Sequence, residues 1–142
     1  MRDFDRLAEE LQAACDADAV AVFGEAVVAR WKAPGHMGVM FDPSATATVA
    51  GACDDTITLF LRIEDGRISE ASFTADGCAA SVVCADAAVE LALGKTPDQA
   101  AAMQAGDIIT LLGGLPRDKH KSARIAAKAV RLAVEDHRLR RA

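Results

Sequence analysis

The chain has 142 residues, of which 51% are hydrophobic and 26% are charged. This composition excludes an intrinsically disordered tail and a fibrous protein, and the length suits a single domain, residues 1–142, with a core of its own. No apolar run approaches the roughly 20 residues of a membrane-spanning helix, and the first residues lack the basic and then apolar pattern of a signal peptide. We therefore expect a cytoplasmic protein with no membrane partner.

The net charge of −5 is unevenly distributed along the chain. Residues 117–142 contain nine Lys or Arg and three Asp or Glu, a net charge of +6 that leaves −11 for the residues before them. Surfaces that bind nucleic acid usually place aromatic side chains among their cations, and this chain has five Phe, one Trp and no Tyr. We therefore expect a solvated basic face on the last helix, whose dipole favours cations near its C-terminus, and no nucleic-acid partner.

The N-terminal part of the chain is predicted to be helical. Apolar residues three and four apart over residues 3–15 predict an amphipathic helix. Asp16 or Asp18 caps a second predicted helix, which ends at Pro34-Gly35 because neither residue continues a helix well. An ordered loop follows in this prediction.

The middle of the chain has the clearest strand pattern. Apolar and polar side chains alternate over residues 56–63, and Asp65-Gly66 is typical of a two-residue hairpin turn, since both residues adopt left-handed conformations readily. Alternation resumes over residues 70–75 after one apolar residue out of phase, which predicts a bulge near Ser69. A weaker strand at residues 46–50 completes a predicted three-stranded antiparallel sheet.

The remaining chain is predicted to be helical. Residues 79–93 are rich in Ala and Val, which predicts a helix that Gly94 ends. Thr96-Pro97-Asp98-Gln99 has the pattern of an N-cap, a proline at the first helical position and a capping box. A short helix capped by Asp107 and a final helix over about residues 118–138 follow. This order of elements predicts an α+β fold in which helices pack against a small antiparallel sheet.

The candidate chemistry of the chain centres on its cysteines. Their number is too small for a disulfide scaffold, and they are Cys15, Cys53, Cys78 and Cys84. Cys53 and Asp55 lie two residues apart in an extended segment, so both can point to the same side and offer a metal one soft and one hard ligand. Cys78 lies at a predicted helix N-terminus, where the dipole favours the thiolate that binds metals or attacks sulfur. Cys15 and Cys84 are expected in the core, because free cysteine is among the most buried residue types.

One histidine is a further candidate ligand. His120 follows a Leu-Pro turn at the start of the last predicted helix. Its imidazole can bind a metal, and an exposed residue at a helix start is an equally good interpretation of its position.

Several motifs together resemble one protein family. In chain order they are Ala33-Pro34-Gly35-His36-Met37-Gly38, Gly51-Ala52-Cys53-Asp54-Asp55-Thr56, Phe73-Thr74-Ala75-Asp76-Gly77-Cys78-Ala79-Ala80-Ser81, Gly94-Lys95-Thr96, Gly113-Gly114-Leu115-Pro116 and Ile125-Ala126-Ala127-Lys128-Ala129. Their order and spacing are similar to those of the NifU/IscU family of iron–sulfur cluster assembly scaffolds over about residues 23–136. The resemblance implies a three-stranded antiparallel sheet packed by helices, and it makes the helix within residues 1–20 an addition to the family core.

The resemblance also implies a ligand set. In the family, three cysteines and an aspartate hold an iron–sulfur cluster or a zinc ion, and the residues of this chain that match are Cys53, Asp55 and Cys78. His120 lies one position before the family histidine and would become a fourth ligand after a small shift of the helix start. The implied cofactors are an iron–sulfur cluster or iron, with zinc in the form that lacks a cluster.

The implied role is a scaffold and not an enzyme. The implied partners are a cysteine desulfurase or other iron–sulfur assembly proteins, and a second copy of the chain in a homodimer. No deaminase pattern and no closely spaced Cys/His pair indicates a metalloenzyme or a thiol hydrolase.

The chain departs from the family pattern at the third cysteine. Ser122 stands at that position, Lys121 at the family histidine, and Asp54 at the glycine between Cys and Asp. Two hypotheses follow. The chain is a divergent scaffold or carrier of iron, a cluster or zinc, or it is a paralogue without cluster assembly that docks assembly partners through its basic last helix. In the second case, the ammonium group of Lys121 neutralises carboxylates that a bound cation would otherwise neutralise.

Overall fold

The structure, a computed structural model, describes residues 24–51 and 55–141. The predicted helix over residues 3–15, together with Cys15 and Cys53, lies outside the described residues. The described elements are α1 (Glu25–Lys32), β1 (Ala45–Ala50), β2 (Thr56–Glu64), β3 (Arg67–Asp76), α2 (Ala79–Ala92), α3 (Pro97–Ala101), α4 (Ala105–Leu111), a 3-10 turn (Arg117–Lys119) and α5 (His120–Arg141). This architecture confirms the predicted α+β fold.

The sheet is antiparallel throughout, with the strand order β1-β2-β3. Asp65 and Gly66 form the hairpin turn with φ angles of +53° and +76°, the left-handed pair that the sequence predicts. The pairing of β2 with β3 shifts between Arg62 and Ile63, because Ile63 faces Ile68 while Arg62 faces Glu70. Ser69 is therefore the extra residue, and the predicted bulge is confirmed.

Helix α1 begins at Glu25, because Gly24 has φ +88° and ψ 157°, which is outside helical conformations. Gly24 therefore interrupts the second helix predicted from the sequence, and the predicted cap at Asp16 or Asp18 lies outside the described residues. The start of α4 also differs from the prediction. Helix α4 begins at Ala105, so Asp107 lies inside it, where its carboxylate accepts a hydrogen bond of 2.9 Å from the N–H of Gln104. An aspartate at the third position accepts a hydrogen bond from the N-cap N–H, whereas an N-cap side chain accepts one from the second or third N–H of the helix. Because both positions favour aspartate, the sequence pattern placed the start of the helix at the wrong one.

One face of the sheet and helix α2 form the centre of the core. Ile57, Leu59, Leu61 and Phe73 alternate along β2 and β3 and are fully buried. Ten of the 14 residues of α2 are buried, since small Ala side chains let the sheet and α5 approach the helix closely on several sides. Cys84 is one of these ten, which confirms it as a core residue.

The loop after α1 is ordered by hydrogen bonds, as predicted. Residues 36–38 lie alongside β3, with bonds from Gly38 N–H to the Phe73 carbonyl (2.7 Å) and from Phe73 N–H to the His36 carbonyl (3.1 Å). Asp86 of α2, only 2% exposed, accepts bonds from the His36 N–H (2.9 Å) and the Arg30 guanidinium (2.8 Å). The buried carboxylate thereby ties α1 and this loop to α2.

Among the helices of the described residues, none is both long enough and apolar enough to cross a membrane.

Candidate functional site

The candidate site lies at the end of the β2-β3 hairpin opposite its turn. Thr56 pairs with Asp76, so the residue before β2 and the residues after β3 meet at the same edge of the sheet. These residues are Asp55 on one side and Gly77 and Cys78 on the other. Cys78 is also the N-cap residue of α2, which places its side chain at the positive end of the helix dipole.

Asp55 and Cys78 are in direct contact. The Cys78 N–H donates to Asp55 Oδ1 at 3.2 Å, and the Cys78 Sγ lies 3.5 Å from Oδ2. The Ser81 hydroxyl donates to the same Oδ2 at 2.9 Å. Asp55 is 6% exposed, whereas Cys78 is exposed to solvent. The site thus combines a fixed, hydrogen-bonded carboxylate with a thiol that solutes can reach.

The carboxyl group of Asp55 is held in its ionised form. Burial by itself raises the pKa of Asp55, but the hydrogen bonds from Ser81 and Cys78 and the positive charge of Lys121 outweigh burial, and the pKa is lowered from its ordinary value of 3.8. At neutral pH the group is therefore an anion that can bind a cation.

Gly77 allows the two sides of the site to approach each other. A Cβ atom built on Gly77 would lie 2.8 Å from Asp55 Cγ and in still closer conflict with Oδ1. The φ angle of Gly77 is +139°, which side-chain-bearing residues rarely adopt. Both observations give a physical reason for glycine at this position.

The other side of the site is formed by the start of α5. Gly51 N–H donates to the Asp55 carbonyl at 2.7 Å, and a Cβ atom on Gly51 would lie 2.6 Å from Ile125 Cδ1. Ile125 is four residues after Lys121, so the two share a face of α5. This placement agrees with the effect of the Lys121 charge on the pKa of Asp55.

Of the ligands predicted from sequence, the structure brings Asp55 and Cys78 together. Cys53 lies outside the described residues. His120 is half-buried, and its Nε2 forms a hydrogen bond of 2.8 Å with the Leu115 carbonyl. Within residues 24–51 and 55–141 there is no cluster of three or more His, Cys, Asp or Glu side chains that could hold a metal. The full ligand set, which needs Cys53, therefore stays a prediction.

Ser122, at the position of the third family cysteine, is a buried residue. It is 1% exposed, and its Oγ has no hydrogen-bond partner within the part of the chain that the structure describes. A buried hydroxyl without a partner is less stable than one that is hydrogen-bonded. A thiol, which is a weaker donor and acceptor, would tolerate this position better.

Ser81 is a site residue that was not among the candidates predicted from the sequence. It is fully buried, and its Oγ lies 3.6 Å from the Cys78 Sγ as well as within bonding distance of Asp55. The sequence feature that could have identified Ser81 is its spacing from Cys78, since residues three apart at a helix start lie on the same side of the helix.

Cys84 is chemically distinct from Cys78. Burial, with a smaller contribution from Cys78, raises the pKa of the Cys84 thiol to about 12. At neutral pH it is therefore a protonated, unreactive thiol inside the core.

Comparisons with known proteins agree with this arrangement. The family model of the NifU-like N-terminal domain matches residues 22–142. The chain is 31% identical over 117 residues to the iron–sulfur cluster assembly scaffold protein IscU 1 of Archaeoglobus fulgidus, with 82% of this chain and 76% of that protein covered. It is 29% identical over 126 residues to the iron–sulfur cluster assembly enzyme IscU of Drosophila melanogaster, with coverage of 85% and 81%.

A solved structure shares the fold. The N-terminal part of a nitrogen-fixing NifU-like protein from Brucella abortus superimposes with a TM-score of 0.65 at 18% identity, covering 84% of this chain and 96% of that one. This shared fold agrees with the matching family model, with Gly77 packed against Asp55, and with Cys78 at the start of α2. The chain belongs to the NifU-like N-terminal domain family, which includes the IscU-type proteins.

Proposed function

We propose that the protein is an iron–sulfur cluster assembly scaffold or carrier. The observation that supports this most directly is the contact between the exposed thiol of Cys78 and the buried, ionised carboxylate of Asp55. Two relatives that cover most of this chain bear names of iron–sulfur cluster assembly proteins. The proposed role is that of a scaffold, the word that the name of the Archaeoglobus fulgidus relative contains.

The side chains at the site are of the types that bind an iron–sulfur cluster or a metal ion. Thiolate sulfur is the usual ligand of iron–sulfur clusters and a good ligand of zinc, and carboxylate oxygen binds zinc and iron as well. Asp55 and Cys78 would provide one ligand of each kind, and Cys53, two residues before Asp55, would provide a second thiolate. His120 would be the fourth ligand if its bond to the Leu115 carbonyl were given up or if Nδ1 were used.

A second candidate function rests on a specific observation. The positive charge of Lys121 already acts on Asp55, and Ser122 stands where the family has its third cysteine. Both features favour a site that a protein cation occupies in place of a metal. In this alternative the chain keeps the fold and docks iron–sulfur assembly proteins without assembling a cluster.

The remaining proposals follow from the role of a scaffold. The partners would be a cysteine desulfurase or other iron–sulfur assembly proteins, and a second copy of the chain if a cluster is shared between two protomers. The cytoplasmic location expected from the sequence stays a prediction.

Anaerobic purification followed by iron, sulfide and zinc analysis and visible absorption tests the scaffold. We expect metal or a reconstituted cluster in the wild type and its loss in Cys53→Ala and Cys78→Ala. Cys84→Ala is the matched control, because it removes a thiol that is buried and protonated, and it should leave the metal content unchanged. A wild type that holds neither iron nor zinc and forms no cluster contradicts the scaffold.

A restoration experiment separates the two candidates. The double substitution Ser122→Cys and Lys121→His returns the family thiol and imidazole. If the wild type is empty and the double variant binds a cluster, the chain is a scaffold that lost its third ligand. If neither binds, the pocket itself has changed, and the docking function is the one that remains.

A further inference from the structure

We propose that a basic groove between α5 and the turn that joins α3 to α4 binds an acidic segment of a partner protein. The groove has a volume of about 470 Å³. Arg124, Lys128 and Arg131 of α5 form one wall, and Met103 and Gln104 lie on the other. None of the residues that line the groove forms a hydrogen bond with Asp55 or Cys78, so the groove is separate from the candidate cluster site. The inference rests on the second candidate function, docking through the basic last helix, and deepens it by naming the surface and the chemistry of the segment that it binds.

The three cations form a line. Their spacing of four and three residues places them on one face of α5, and at 1.5 Å per residue the line is about 10 Å long. All three residues are exposed. None of the three side chains forms an ion pair or a hydrogen bond with another residue in the described part of the chain. Their charge is thus available to a partner.

The other cations of α5 show that this is not a general property of the helix. Arg138 forms an ion pair with Asp98, and Arg140 pairs with Asp136 and donates to the Pro43 carbonyl. Near the C-terminal end of α5 the chain supplies its own carboxylates. The basic groove, by contrast, is lined by no Asp or Glu. Three positive charges in a groove whose lining residues include no carboxylate favour an acidic ligand by charge complementarity.

The shape of the groove favours a peptide segment. Carboxylates at positions i, i+4 and i+7 of a helix, or along three to four residues of an extended chain, cover the same 10 Å or so. The methyl and thioether groups of Met103, Ala105 and Ala127 give the groove an apolar part, which suits the aliphatic portions of Glu side chains.

Nucleic acid fits the groove less well. Single-stranded nucleic acid is usually bound by cations together with aromatic side chains on which bases stack, and no aromatic residue lines this groove. The chain as a whole has a net charge of −5, which disfavours an extended phosphate backbone beyond the three cations.

The test uses the full chain and a fluorescein-labelled helical peptide with three Glu at positions i, i+4 and i+7. The control peptide has Gln at these positions, and binding is followed by fluorescence anisotropy at low ionic strength. We expect the Glu peptide to bind and the triple variant Arg124→Gln, Lys128→Gln and Arg131→Gln to bind it about tenfold more weakly or worse, the sum of three exposed charge pairs. Added salt should weaken wild-type binding steeply.

A matched variant controls for net charge. Lys95→Gln, Arg117→Gln and Arg141→Gln remove the same charge outside the groove. At an ionic strength of about 0.15 M, where the Debye length is about 8 Å, the affinity should change by less than about twofold. Charge reversal of the groove residues, Arg124→Glu, Lys128→Glu and Arg131→Glu, should abolish binding of the Glu peptide and create binding of a Lys peptide with the same spacing. Far-UV circular dichroism confirms that each variant is folded.

Several outcomes overturn the proposal. Equal binding of the Glu and Gln peptides, or equal weakening by the groove variant and the matched variant, shows that the groove has no specific role. Tighter binding of a single-stranded oligouridine than of the peptide makes the groove a nucleic-acid site. A salt-sensitive dimer in sedimentation velocity that the groove variant abolishes makes a second copy the occupant. Because the peptide assay needs no metal, failure of the scaffold proposal leaves these outcomes unaffected.

Discussion

Among the Gly→Ala substitutions at the described glycines, Gly77→Ala should disrupt the candidate site most. The new Cβ atom would lie 2.8 Å from Asp55 Cγ, a distance that real Cβ contacts essentially never show. The obstacle is a buried carboxylate and the backbone beside it, and neither can rotate away as the end of a flexible side chain can. We expect Asp55 to be displaced and its bonds to Cys78 N–H and Ser81 Oγ to weaken or break.

The size of the effect has two parts. A residue with a side chain at a φ angle of +139° is strained by about 1–3 kcal/mol. A hydrogen bond to a charged group contributes about 1.5–3 kcal/mol, so the loss of one or two of them adds roughly 1.5–6 kcal/mol. The free energy of unfolding should fall by the sum of both parts, a large fraction of the 5–15 kcal/mol or so that is typical of a domain.

Gly38→Ala separates the two parts. Gly38 has a φ angle of +153°, and nothing lies within 4 Å of the position of its Cβ atom. This variant therefore has the backbone strain alone. Urea unfolding should show that Gly77→Ala is about 1.5–6 kcal/mol less stable than Gly38→Ala. Zinc titration should show weaker binding for Gly77→Ala only. Equal destabilisation by both substitutions would refute the reasoning that Gly77 is required by the nearness of Asp55.

Three further predictions rest on single contacts. Iodoacetamide at pH 8 should label the exposed Cys78 in the folded protein and leave Cys84 unlabelled until urea unfolds the chain, because the pKa of Cys84 is about 12. Fragmentation of the tryptic peptide of residues 68–95, which contains both cysteines, locates the label by mass spectrometry, and labelling of both at equal rates contradicts the prediction. Asp86→Ala should lower the free energy of unfolding by about 2–4 kcal/mol, since it removes the buried acceptor of Arg30 Nη1 and of the part-buried His36 N–H. A change below about 0.5 kcal/mol in urea unfolding would show that water replaces the carboxylate. Because the pKa of Asp55 is lowered in the folded protein, its ionised form stabilises the fold fully above the ordinary pKa of 3.8, and this stabilisation is lost as the pH falls through the lower folded pKa. The difference in the free energy of unfolding between wild type and Asp55→Asn should therefore be constant near neutral pH and shrink below about pH 4. A difference that does not depend on pH would contradict an ionised Asp55.

Much of the fold could be predicted because its signals are local. The Asp65-Gly66 turn needs two left-handed residues, and the alternation on either side defines which faces of β2 and β3 are buried, so both the hairpin and the bulge at Ser69 follow from neighbouring residues. The capping box of Thr96 and Gln99 is formed as predicted for the same reason. The prediction of one continuous helix up to Pro34 was wrong at Gly24, because the apolar spacing of the sequence continues across this residue whereas its backbone is not helical.

The candidate site was predictable only in part. Cys78 could be assigned from its place at a helix start, and Asp55 from its spacing to Cys53. Their contact also depends on the close approach of the chain at Gly77 and on where α2 begins relative to the sheet. Ser81 enters the site through the geometry of the first turn of α2. These contacts join residues 23 to 26 positions apart, which no local pattern relates.

By itself, then, the sequence determined the order of the elements, the hairpin register and the identity of two candidate ligands, because turn chemistry and side-chain periodicity act over a few residues. Only the tertiary structure decided that Gly77 packs against a buried Asp55 and that the charge of Lys121 acts on that carboxylate. It also decided that three cations of α5 face a groove whose lining residues include no carboxylate. Each of these depends on how α2 and α5 pack against the sheet, and packing is set by the summed burial of many residues rather than by any one motif.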